Sequence, residues 1–154
     1  KNITNDFFKA SYLGAIDLND EEKKSIEVEM STIISVNKIL QQADLHFAYR
    51  VRNEIAFYLL INKKTGLINP VVALDFQLVQ KVLPRIHGSS ERVQNVLIEL
   101  FNLLENASFQ TSGFEYSKLE IFLEDNKLKY KRASKKIAFM LKRFDDDRFT
   151  SFWL

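Results

Sequence analysis

The sequence predicts an all-α fold, a single helical domain of about six helices over residues 1–154. Three observations carry that expectation. Apolar residues recur at spacings of three and four in several separate segments. Four glycines and two prolines occur in 154 residues, where average usage gives about eighteen, which argues against a sandwich of tight turns. Hydrophobic residues make up 46% and charged residues 27%, the balance of a chain with a buried core. A chain of this length buries about two-thirds of its unfolded surface, so it needs no staple.

The elements follow in order. Asn19 or Asp20 caps a helix whose acidic start, Glu21-Glu22, suits the macrodipole. Its stripe of Ile26, Met30, Ile33, Ile34 and Leu40 runs to about Gln42. A second helix spans about Phe47 to Asn62 with Val51, Ile55, Tyr58 and Leu59 inward, and Lys63-Lys64-Thr65-Gly66 breaks it. Asn69-Pro70 starts a third, with Val72, Phe76, Val79 and Val82 as its stripe and an end near Pro84. Ser89 or Ser90 caps a fourth carrying Val93, Val96, Leu97, Leu100 and Leu104.

Ser108 to Gly113 reads as a loop or a poorly ordered insertion. Phe114 to Tyr130 fits a short helix or a strand, so residues 108–130 hold a short irregular or strand insertion within the helical plan. A last helix runs from about Ala133 to Phe144 with Ile137, Met140, Leu141 and Phe144 inward. Phe149, Phe152 and Trp153 form an aromatic tail expected to dock on the helices. The core is expected to include Ile33, Ile55, Leu59, Val79, Leu97, Leu100, Ile137 and Leu141.

Composition narrows the chemistry. No cysteine occurs, which excludes disulfides, thiol nucleophiles and Cys-containing zinc sites and favours the cytoplasm. No apolar run is long enough to span a bilayer, so no membrane partner is expected. The first residue is Lys, and the chain is expected to be a piece of a longer polypeptide. His87, before Gly88, reads as a histidine at a helix end, and His46 as a half-buried structural group. Neither sits near acids at metal-ligand spacing, and no phosphate-cradling glycine loop exists. Catalysis by this chain alone is not expected.

Two cationic features remain. The run from Lys127 to Arg143 holds eight basic residues and no acid. Within it Lys131, Arg132, Lys135, Lys136, Lys142 and Arg143 are candidates for contact with DNA or an acidic partner, or else for a solvated face balanced by Asp145-Asp146-Asp147. Arg50 and Arg52 lie near a helix start, where the macrodipole disfavours cations unless an anion binds there. The alternative is that Arg50 pairs with Asp44 or Glu54 on the surface.

Three blocks add a resemblance. Tyr49-Arg50-Val51-Arg52-Asn53-Glu54-Ile55, the stretch from Leu74-Asp75-Phe76 to Ile86-His87-Gly88, and Phe149-Thr150-Ser151-Phe152-Trp153 occur in this order, with Ser134-Lys135-Lys136-Ile137 before the last. Together they resemble the C-terminal part of McrB-like AAA+ NTPases of DNA restriction and bacterial defence systems. The resemblance implies a helical lid with an upstream nucleotide-binding core in the same polypeptide, neighbouring subunits in a ring, and a McrC-like nuclease partner. It also implies ATP or GTP with Mg²⁺ in the full-length protein, no cofactor in this chain, and Arg50, or else Arg52, as a sensor-2 arginine reaching the γ-phosphate. Two departures stand out: Tyr130-Lys131-Arg132 replaces the family's Tyr-Pro-Arg, and residues 108–125 are longer than usual. The alternative is a stand-alone helical nucleic-acid-binding or adaptor module using the basic stripe 127–143.

Overall fold

The computed structural model describes residues 19–153, in which seven α-helices and one two-residue antiparallel ribbon make an all-α fold. Asn19 caps α1 (Asp20–Ser25): its side chain accepts from the Glu22 amide at 2.8 Å while Glu22 reaches back to the Asn19 amide. The first expected helix is two. The Ser25 hydroxyl donates to the Glu22 carbonyl at 2.7 Å, and Ile26 breaks the helical path at φ −116°, ψ 10°. That bend leaves Ile26 fully buried and starts α2 (Glu27–Gln41) at a new angle.

α3 (Tyr49–Thr65) begins two residues later than expected and absorbs Lys63 and Lys64 into its last turn, where cations suit the dipole. Gly66, left-handed at φ 64°, stops it. Its buried face is Asn53, Ile55, Ala56, Leu59, Leu60 and Asn62, so Tyr58, expected inward, points to solvent. Two inward asparagines shift the face away from Tyr58. The third stripe is also displaced. Asn69 caps α4 (Pro70–Gln77) as expected, but the helix continues as a π turn over Leu78–Val82 and a 3₁₀ turn over Leu83–Arg85. Within α4 the buried face already runs through Ala73, Leu74, Asp75 and Gln77, and the wider turn moves the register again from Leu78 on. Ala73, Leu74, Leu78, Val82 and Leu83 are buried, whereas Val72, Phe76 and Val79 are only half-buried.

β1 (His87–Gly88) leads to α5 (Glu91–Glu105), capped by Ser90, whose five expected apolar residues are all buried. His87 is therefore an exposed strand residue instead of a helix end, and His46 is exposed beside the buried Phe47. α6 (Tyr116–Asp125) resolves the ambiguous segment as a helix. Ahead of it the loop is pinned: Phe109 packs edge-on against Phe101, Phe114 and Phe122. α7 (Lys131–Asp147) is longer than expected at both ends, and α5 is its main packing partner. β2 (Thr150–Ser151) pairs with β1, His87 opposite Ser151 and Gly88 opposite Thr150. That backbone pairing docks the tail, while the Trp153 ring stays outside, 66% exposed.

Asparagine makes the same clasp three times. Asn37 holds both the N–H and the C=O of Phe47, at 2.8 and 3.1 Å. Asn62 does so with Ile68 at 3.1 and 2.9 Å, and Asn102 with Phe109, both at 2.9 Å. Each amide sits near the end of a helix and fixes the loop that follows, because one side chain offers both a donor and an acceptor.

The start of α7 is held from outside. Its N-cap, Tyr130, makes no side-chain cap, and its first turn has no acid. Buried Asp75, 2% exposed, accepts from the Arg132 and Ala133 amides at 2.9 and 2.8 Å. Glu105 accepts from the Lys129 and Tyr130 amides and from the Ser134 hydroxyl at 2.6, 2.9 and 2.6 Å. Replacing Asp75 by Ala strands two buried donors and should cost about 2–4 kcal/mol in chemical denaturation. Glu22→Gln, at an exposed cap, should shift the denaturation midpoint far less than Asp75→Ala. Burial, opposed in part by a hydrogen bond to Thr32, raises the Tyr130 phenol above its ordinary 10.0. A folded-state value above the unfolded one means stability that is whole below pH 10 and lost as pH rises through the raised value. Melting temperature should therefore fall less steeply above pH 10 in Tyr130→Phe than in the parent chain.

Candidate functional site

Two surfaces carry the charged chemistry. The first is the start of α3. Asn37 clasps Phe47, whose ring is buried, and this fixes where the helix begins. Ala48 is the N-cap and offers no side-chain bond, and the first turn contains no acid. Tyr49, Arg50 and Arg52 follow. The Arg50 side chain is 86% exposed and its Nε lies 3.8 Å from Glu54 Oε1. Lys81 holds the same carboxylate closer, at 2.8 Å, and this contact is the first cause of Glu54 titrating below its ordinary value. Arg50 thus makes the surface pair with Glu54 that the sequence left open, as the outer and longer of two contacts to one acid. Arg52 is half-buried with its guanidinium 4.7 Å from the Tyr49 ring centre.

The second surface is the outer face of α7. The six basic residues expected there all lie outside the core, but they are not equivalent. Arg132 is structural: it stacks on Phe76 at 4.4 Å and lies 3.8 Å from Asp75. Lys142 pairs with Asp146 at 3.4 Å, which raises its pKa, and Arg143 donates to the Trp153 carbonyl at 2.8 Å. The Lys136 ammonium rests over two rings, Phe139 at 4.9 Å and Phe152 at 4.5 Å. Lys131 and Lys135 make no ion pair with any described residue; with Lys127 they rim a recess of about 290 Å³ floored by Leu123 and Leu128. Sequence reasoning passed over Phe139, which is 38% exposed in the middle of this face. The signal was present: Lys135, Lys136, Lys142 and Arg143 stand three and four residues from it on either side, so its ring shares their face.

Among the described residues no group of three His, Asp or Glu could hold a metal ion, and no helix is long and apolar enough to cross a membrane. What the fold and these surfaces define is an all-α protein with an exposed arginine at the start of α3 and a cationic, aromatic strip on α7. A family model described as a domain of unknown function (DUF8727) matches residues 2–149, and the chain belongs to that family. Neither the curated proteins nor the solved structures returned a match.

The division of the basic residues is measurable. Arg132→Ala removes a stacked, acid-paired cation and should cost about 1 kcal/mol in denaturant unfolding. Lys131→Ala should change stability by no more than about 0.5 kcal/mol.

Proposed function

We propose that this chain is the non-catalytic lid and coupling module of a McrB-like AAA+ NTPase in a DNA restriction or defence system. In this reading it closes over ATP or GTP held with Mg²⁺ by a nucleotide-binding core, and it relays the nucleotide's state to neighbouring ring subunits and a McrC-like nuclease. The observation that carries the reading is the first turn of α3, where an exposed guanidinium sits at a helix start with neither an acid nor a side-chain cap. A phosphate arriving there meets the positive end of the helix dipole, turning the unfavourable placement of Arg50 into a favourable one. Its present contact is weak, and Lys81 keeps Glu54 paired when Arg50 leaves. The lid's part is to place charge; Mg²⁺ and the attacking water belong to the core.

In the NTPase that contains this chain, Arg50→Ala should lower turnover about tenfold to a thousandfold. Melting should shift by an amount equivalent to no more than about 1 kcal/mol. Arg50→Lys should rescue poorly, since a point charge cannot reproduce the planar fork. Normal turnover with a loss of stability would reduce Arg50 to a surface partner of Glu54. A turnover defect in Arg52→Ala alone would move the site to Arg52, and hydrolysis by the isolated 154-residue chain would overturn the lid reading itself.

A further inference from the structure

The outer face of α7 carries more than charge. At 100° per residue, Lys131, Lys135, Phe139 and Lys142 fall along one side of the helix, with Lys136 and Arg143 beside them. Phe139 is 38% exposed there, and Trp153 is 66% exposed. The two rings belong to one surface, because Lys136 lies over both Phe139 and Phe152, and Phe152 stacks edge-on against Trp153 at 4.8 Å. Arg143 fixes the Trp153 carbonyl to the same helix. Aromatic rings left in water beside cations are costly to the isolated chain, and such rimmed patches mark contact surfaces.

We propose that this strip binds single-stranded nucleic acid, with bases stacking on Phe139 and Trp153 and the backbone held by Lys127, Lys131 and Lys135. Those lysines make no ion pair with a described residue, so no internal contact has to break when a phosphate arrives. Their recess gives an aliphatic wall for sugar and an amide, that of Asn126, for hydrogen bonding. Bases inside a duplex keep their faces stacked on one another, whereas a single strand offers its base faces to exposed rings directly. Lys131 to Arg143 spans about 18 Å of helix, room for a few nucleotides. Asp145, Asp146 and Asp147 close the far end, where Asp146 already holds Lys142. The surface is separate from Arg50, and neither proposal rests on the other.

Trp153 is the single tryptophan of the chain, so its fluorescence reports on the strip directly. Titrating the 154-residue chain with decathymidylate at low salt should quench that fluorescence saturably. Phe139→Ala should weaken binding about fivefold to a hundredfold, from the usual contribution of one base–aromatic stack. The double variant Lys131→Gln, Lys135→Gln should flatten the log–log salt dependence by about 1.4, two phosphate contacts on a single strand. The two lysines are exposed, so the melting temperature of the double variant should hold, and Lys24→Gln with Lys38→Gln, on α1 and α2, serves as the charge-matched control. Phe139→Ala is titrated below its own melting transition. Equal affinity for a ten-base-pair duplex, equal affinity for polyglutamate, or no quenching at low salt would each overturn the proposal: the first would leave backbone attraction alone, and the second an acidic protein surface.

Discussion

α7 begins where two carboxylates on other helices allow it to begin. A helix start exposes backbone N–H groups that need acceptors, and the local sequence of α7 supplies none. Asp75, on α4, and Glu105, the last residue of α5, supply them from 57 and 24 residues away at the nearest. Both anions lie at the positive end of the helix dipole, so electrostatics and hydrogen bonding favour the same placement. The helix that packs on α5, holds the terminal ribbon and displays the cationic strip therefore takes its position from long-range contacts. Asp75 also steadies the Arg132 stack on Phe76, so a single buried acid orients both the backbone and one basic residue of that strip.

Much of the helical plan was legible because its signals are local. The Asn19, Asn69 and Ser90 caps act within three residues of themselves, and the α5 stripe is almost purely apolar on its buried side. Where polar groups share a buried face the pattern fails. Asn53 and Asn62 on α3, and Asp75 and Gln77 on α4, are buried yet read as solvent-facing. The π turn then shifts register over Leu78–Val82, just ahead of Pro84, which has no N–H to give the carbonyl four residues back. The start of the last helix was misjudged because its N-terminal acceptors lie elsewhere in the chain.

The candidate sites were legible as residue types but not as partners. Arg50 could be placed at a helix start, and Glu54 four residues on was a visible partner, yet Lys81 reaches that acid from 27 residues away. The basic run could be counted, but only packing separates Arg132, committed to Phe76 and Asp75, from Lys131 and Lys135, which pair with no acid among the described residues. Trp153 was expected to dock on the helices with Phe149 and Phe152. Instead the ribbon buries Thr150 and satisfies the tail through its backbone, which leaves the indole outside.

The three asparagine clasps set a chemical lifetime as well as a geometry. Asparagine is a thermolabile residue, and slow hydrolysis of its amide yields a carboxylic acid. At Asn37, Asn62 or Asn102 that ageing reaction would delete the donating half of the clasp and set negative charge against the carbonyl oxygen of Phe47, Ile68 or Phe109. The damage would loosen a loop and, at Asn37, the seat of the buried Phe47 ring. Deamidation at Asn37 would act farthest, since the loop it releases leads directly into the helix that presents Arg50.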